Sequence, residues 1–168
     1  ALGIPMGAPA FKFRNEFKKH NIKVFSSNYP LYGDMSNRVM KILETYTPNV
    51  EIYSIDEAFL KFEGFDHFDL IERGLQMRKQ VQQWTGIPVS VGLAPSKALA
   101  KIANKIAKKF DQRTQGVYAI DSNEKRLKAL KWTSIEDVWG VGRQHAKRLQ
   151  AMGVMTALDF VNLPDEWV

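Results

Sequence analysis

Apolar residues change their spacing several times along this chain, and each spacing predicts an element. From Phe11 to His20, Phe13 and Phe17 lie four apart while Lys12, Arg14, Lys18 and Lys19 fall mostly on other faces, which predicts a short helix. Ile22 to Phe25 reads as a brief strand. Leu31, Met35, Val39, Leu43 and Tyr46 then recur at helical intervals, and Pro48 closes that run. Val50, Ile52 and Tyr53, followed by Ala58, Phe59, Leu60 and Phe62, are the β-branched and aromatic residues of two strands joined by a turn. A rougher helical stripe of Leu70, Ile71, Leu75, Met77 or Arg78, and Val81 covers Phe68 to Trp84, before Gly86. Pro88 opens the run Val89-Ser90-Val91-Gly92-Leu93, which suits a central strand, and Gly116 to Ile120 predicts one more.

Between those last two strands lies the sharpest pattern in the chain. Ser96 suits the N-cap of a helix from Lys97 to Phe110. Leu99, Ile102, Ala103, Ile106 and Phe110 share one side of it, and Lys97, Lys101, Lys105 and Lys108 share the other. From Ser134 the pattern changes character. Ser134 to Val138 reads as a short capped helix, Gly140-Val141-Gly142 as a tight hairpin, and Arg143 to Met152 as a second helix ended by Gly153. The two glycines admit backbone close to a phosphate, and the second helix offers its N-terminus to the anion. Arg143, Lys147 and Arg148 add charge beside it, so the unit suits a sequence-independent grip on a DNA backbone.

With 168 residues, 45% of them hydrophobic and 25% charged, the chain has room for one domain and a small second one. It contains no run of about 18 apolar residues, so no membrane span is expected. Ala1 to Ala10 lacks the basic flank and long apolar stretch of a secretion signal and reads as a surface loop. The absence of cysteine excludes disulfides and thiolate metal sites, and fits a cytoplasmic protein. The net charge of +6 is concentrated: residues 97–131 hold 10 basic and 3 acidic side chains, against 11 and 10 in residues 1–96. Such a stretch suits a polyanion. It would serve equally as the solvated face of a helix.

Tyr53-Ser54-Ile55-Asp56-Glu57-Ala58-Phe59 places two adjacent carboxylates at the tip of an otherwise apolar hairpin. Unpartnered charge beside a core is costly, and a hard cation removes the cost. With no histidine- or cysteine-rich segment nearby, Mg²⁺ and phosphoryl chemistry are favoured over zinc chemistry. A solvent-facing acidic turn is the plainer alternative.

Together these stretches resemble the Y-family of translesion DNA polymerases, and within it the UmuC type. The matching segments are Ser26-Ser27-Asn28-Tyr29 with Asp34 to Met40, then Val50 to Phe59. Gly92-Leu93-Ala94-Pro95-Ser96-Lys97 with Leu99 to Asn104 comes next, and Asp137 to Arg143 with Met152-Gly153-Val154 is last. They stand in the family's order. The resemblance implies an α+β fold: a fingers remnant at 1–25, a partial palm of mixed or antiparallel sheet with helices at 26–120, and a small all-α helix-hairpin-helix thumb at 121–168. It implies that Asp56 and Glu57 are catalytic carboxylates and ligands of Mg²⁺ in a two-metal site, with the cations about 4 Å apart. It implies that Lys108, with Lys101 and Lys105 as weaker candidates, contacts the incoming nucleotide's phosphates, and that Gly140, Val141, Gly142, Arg143 and Lys147 grip DNA.

By the same resemblance the partners are primer-template DNA and a deoxynucleoside triphosphate, with a UmuD-type dimer, a recombinase filament and a sliding clamp. The family's first palm strand, its further metal-binding Asp, its ribonucleotide-excluding aromatic and its fingers Tyr and Arg have no counterpart here. The expectation is therefore an internal piece of a polymerase, one metal ligand short, inactive alone and open along a sheet edge. Two other readings remain: a non-catalytic DNA-binding module built on the helix-hairpin-helix, and a palm-type nucleotidyl cyclase, which would not need that unit.

Overall fold

The computed structural model describes residues 2–64 and 67–164; residues 165–168, the last of the range expected to form a thumb, lie outside it. The first ordered turn is a 3-10 segment, Ala10–Phe13, running into α1, Arg14–Lys19, and neither buries a residue. The strand expected at Ile22 to Phe25 does not form. Val24 and Phe25 are 63% and 85% exposed, and no neighbouring strand offers them a ladder.

Helix α2, Tyr29–Glu44, begins two residues before the predicted Leu31 because the Asn28 side chain accepts the Leu31 N–H at 3.2 Å and Pro30 fits the first turn. Its buried residues are Val39, Met40 and Ile42; of the predicted stripe Val39 is in the core and Leu43 and Tyr46 pack against it, while Leu31 faces solvent. Helix α3, Leu70–Thr85, starts at Asp69, whose carboxylate accepts the N–H groups of Ile71 and Glu72, and ends at Gly86 in the left-handed region. Val39, Ile42 and Val81 form one core between α2 and α3, with Leu43, Tyr46, Ile87 and Val89 against it. Burial raises the Tyr46 hydroxyl's pKa above its ordinary value, against the opposing pull of Arg73.

Strands β1, Val50–Ile52, and β2, Ala58–Leu60, pair antiparallel with Glu51 opposite Phe59. Strands β3, Val91–Leu93, and β4, Val117–Ala119, pair in parallel across α4, Lys97–Lys109, and the short α5, Asp111–Thr114. Where the resemblance implies a mixed or antiparallel sheet, the described residues form two separate two-stranded sheets, one antiparallel and one parallel. A groove of about 2110 Å³ is lined by both.

Helix α4 is the link between layers. Ser96 caps it as predicted, accepting the Leu99 N–H at 3.4 Å, and Ile102, Ala103, Ile106 and Ala107 are buried. Its backbone approaches β3 so closely that a Cβ on Gly92 would lie 2.8 Å from the Asn104 Cα and closer still to the Asn104 N and Ala100 O. The chain continues into α6, Asn123–Trp132, which periodicity did not predict: only Ala129 and Leu130 are buried, and basic residues surround them. The second core joins Ile102, Ala103 and Ile106 of α4 to Ala129, Leu130 and Ala157, so it crosses the boundary proposed at 120/121.

Ser134 to Val138 is not a capped helix. Ser134 forms an antiparallel bridge with Thr156 and Ile135 donates to the Met155 carbonyl at 2.9 Å, leaving only a 3-10 turn, Ile135–Asp137, without a side-chain cap. Helix α7 follows as Arg143–Ala151, and α8, Ala157–Val161, is closed by a capping box of Thr156 and Asp159.

Two outcomes are expected. Gly92→Ala forces α4 off β3 and destabilises the protein by about 1–3 kcal/mol in urea unfolding, as overpacked sites do. The Asp159 carboxylate accepts from Thr156 and from the N–H groups of Thr156 and Met155, which hold its pKa below the usual range. A depressed carboxyl stabilises the fold above its unfolded pKa and loses that contribution as pH falls through its folded value. Asp159→Asn should lower the melting temperature at pH 7 and narrow its gap to the parent below about pH 4.

Candidate active site

The β1–β2 turn closes tightly because the N–H groups of Tyr53 and Ser54 both donate to the Glu57 carbonyl, at 3.0 and 3.1 Å. Within it the Ser54 hydroxyl donates to Asp56 Oδ1 at 2.7 Å and accepts the Asp56 N–H at 3.3 Å. This short side-chain turn orients Asp56. Both carboxylates are exposed, and both line the large groove.

The lysine face of α4 meets this hairpin rather than open solvent. Lys97 pairs with Glu51, Lys101 Nζ lies 2.7 Å from Glu57 Oε1, and Lys105 Nζ lies 2.5 Å from Asp137 Oδ1. Among the described residues Lys108 has no ion-pair partner, and it lines the groove with Asp56, Glu57, Lys101 and Lys105. The structure therefore gathers the predicted carboxylates and lysines at one groove and distinguishes the four lysines. Three are neutralised by the chain itself, and Lys108 remains available to an anion.

An aromatic cluster, absent from the sequence reading, stands beside this site. Tyr53, Phe59 and Trp139 pack with ring centroids 5.4 to 5.7 Å apart, and the Trp139 indole N–H donates to the Tyr53 hydroxyl at 3.1 Å. Lys101 Nζ lies 5.1 Å from the Tyr53 ring centroid and 5.5 Å from that of Trp139, within cation–π range of both. Tyr53 and Trp139 are 86 positions apart, and nothing in their local spacing pairs them. Gly140, Val141, Gly142, Arg143 and Lys147 lie beyond Trp139 at the start of α7, outside the groove lining. Gly140 has φ of 95°, which requires glycine, whereas Gly142 has an ordinary φ of −76° and open space where a Cβ would stand. Only the first glycine is thus required by the local backbone.

Asp56 and Glu57 supply hard oxygen donors of the kind Mg²⁺ takes, with its remaining positions left to water or phosphate. Among the described residues no third acidic, histidine or cysteine side chain completes a cluster with them.

The fold is of mixed α and β structure, small sheets among helices, with carboxylates and lysines facing one groove. Residues 1–105 match the family model described as the impB/mucB/samB family. Protein UmuC of Salmonella typhimurium is 47% identical over 159 residues, 94% of this chain and 38% of that protein. DNA polymerase IV of Sulfurisphaera tokodaii is 33% identical over 137 residues, 79% of this chain and 37% of that enzyme. A DinB family error-prone DNA polymerase from Sulfolobus solfataricus superposes with a TM-score of 0.78 at 27% identity, over 99% of this chain and 49% of its own. The insertion ternary complex of Dbh DNA polymerase gives 0.78 at 26% identity, over 97% of this chain and 46% of its own. The chain belongs to the impB/mucB/samB family, within the Y-family of DNA polymerases. It spans under half the length of each of these proteins.

The Lys105–Asp137 pair is about two-fifths exposed on both sides. A double-mutant cycle of Lys105→Ala and Asp137→Ala in urea unfolding should give a coupling of about 0.2–1 kcal/mol that shrinks in 1 M salt.

Proposed function

We propose that these residues are the palm and thumb portion of an error-prone DNA polymerase, which extends a primer opposite damaged template by two-metal phosphoryl transfer. The observation that carries the reading is the groove in which Asp56, Glu57 and an unpaired Lys108 line one space, in a chain similar to DNA polymerases along most of its length.

Asp56 and Glu57 would hold the magnesium, Asp56 already oriented by Ser54. Bound there, Mg²⁺ lowers the pKa of the primer 3′-hydroxyl and offsets charge on the triphosphate. For Glu57 to serve, Lys101 must give up its ion pair, and the rings of Tyr53 and Trp139 retain the ammonium as it does so. Lys108 binds the nucleotide's phosphates as a point charge. Gly140 and Gly142 present backbone N–H groups, that of Val141 being taken by the Val138 carbonyl at 2.9 Å, and Arg143 and Lys147 present cations, to the DNA backbone, in a thumb whose first helix is reduced to the 3-10 turn Ile135–Asp137. Primer-template DNA and a deoxynucleoside triphosphate are the ligands; the ternary complexes among the solved structures it resembles support this. A UmuD-type dimer, a recombinase filament and a sliding clamp follow from family resemblance alone. A site in the cytoplasm fits the reading, and among the described residues no helix is long and apolar enough to cross a membrane.

The test is primer extension on undamaged and abasic templates, by a protein carrying these residues at the length of the UmuC relatives. Asp56→Asn and Glu57→Gln should each cut extension by about a hundredfold or more, about 2.7 kcal/mol of transition-state stabilisation, and leave DNA affinity intact. Lys108→Ala should raise the nucleotide Michaelis constant about tenfold, about 1.4 kcal/mol. Gly142→Val should weaken DNA binding. If the parent extends no primer yet binds DNA, the chain is a non-catalytic DNA-binding module instead; if the carboxylate variants extend normally, Asp56 and Glu57 are not the metal-binding pair.

A further inference from the structure

We infer that Trp139 is a positioning residue: by packing on Tyr53 it sets the bearing of the Gly140–Gly142 turn and of α7 relative to the acidic loop of Asp56 and Glu57. The inference rests on the polymerase reading for its purpose, since a single duplex must meet both places at once.

Helix α7 is anchored at its C-terminal end, where Val154 is buried and Ser134 bridges Thr156, and is held less at its N-terminal end. Of its own residues only Ala146 is buried, and the element it packs on most is the 3-10 turn Ile135–Asp137. That turn and the residues after it therefore set where the N-terminal end of α7 lies. They are tied to the acidic hairpin side of the molecule by two side chains, Asp137 to Lys105 and Trp139 to Tyr53. An exposed ion pair on flexible stems restrains direction weakly. The aromatic tie is different in kind. The indole N–H is a donor only, it finds the Tyr53 hydroxyl at 3.1 Å, and the two rings meet nearly perpendicular at 86° with Phe59 closing the third side.

Core packing does not account for this arrangement. Trp139 is 39% exposed and Tyr53 47% exposed, so a smaller apolar residue would serve burial as well. What the pair supplies is a directional contact between β1's end and the residue immediately before Gly140, whose left-handed φ of 95° turns the chain towards α7. Lys101, shared between Glu57 and both rings, adds a charged contact at the same junction. A small angular error at this junction would displace the DNA backbone from the reacting end, which a positioned reaction does not tolerate.

The chain has no cysteine, so spin labels go only where they are placed. Labels at Lys79→Cys on α3 and Gln144→Cys on α7 report the bearing of α7 by pulsed dipolar spectroscopy, without DNA, nucleotide or metal. The parent should give one narrow distance. Trp139→Ala and Tyr53→Ala should broaden or displace it with little change in melting temperature, and should raise the dissociation constant for a primer-template about tenfold. Tyr53→Phe removes only the hydroxyl, while Trp139→Phe removes the indole N–H and part of the ring packing; each should give a smaller broadening than the alanine variants, and the double variant should be no worse than Trp139→Phe alone. This pair carries the test even if an alanine variant fails to fold. A distance distribution for folded Trp139→Ala that coincides with the parent's, or phenylalanine variants with fully additive effects, overturns the inference. If the distances respond as expected but the parent binds no DNA, the positioning stands and the polymerase reading fails.

Discussion

Helix α4 has to be apolar on one side and cationic on the other, and most of the molecule is built against one of those two faces. On the apolar side, Ala103 and Ala107 are fully buried, and β3 comes so close to the backbone of Ala100 and Asn104 that Gly92 has no room for a side chain. Ile102 and Ile106 then join the core with Ala129, Leu130 and Ala157, so the same helix supports the parallel strands and the C-terminal helices. On the cationic side, Lys97, Lys101 and Lys105 each find a carboxylate from another element. Amphipathicity here does more than separate core from water, because the polar face also organises tertiary structure.

This arrangement changes what the net charge means. A concentrated basic segment suggests a broad field for attracting nucleic acid, yet three of the four stripe lysines are spent on Glu51, Glu57 and Asp137. Within the stripe Lys108, at the groove, has no ion pair among the described residues, and neither do Lys109, Arg113, Arg126 and Lys131 of the same basic segment or Arg143 and Lys147 on α7. Ion pairing thus removes part of the charge that a residue count alone would offer a polyanion.

Much of this was legible from residue order, and the remainder was not for identifiable reasons. Periodicity located α2, α3 and α4, and Ser96 and Gly86 mark real helix ends, because those signals act within a few residues. The hairpin and its acidic tip were legible for the same reason. Ile22 to Phe25 misled because strand propensity is worth little without a partner edge. Helix α6 was hidden because two buried positions make too weak a stripe, and Ser134 misled because its backbone is taken by the bridge to Thr156. The division of the lysines, the split into two sheets and the Tyr53–Trp139 contact are all tertiary. No local pattern specifies which of four equivalent lysines will meet an acid.

The two carboxylates of the acidic loop are each met by a partner from the chain itself. Asp56 and Glu57 are adjacent like charges beside strands whose other faces are apolar, and Glu51 stands on the same hairpin. Uncompensated, they would repel one another and favour an opened loop. Ser54 satisfies one carboxylate by hydrogen bonding and Lys101 the other by charge, so the loop is held in shape without requiring a bound cation. At partial exposure the pair contributes little net free energy, and the rings of Tyr53 and Trp139 hold the same ammonium at 5.1 and 5.5 Å. The lysine that meets Glu57 is thus the same group that touches Trp139 and the approach to α7.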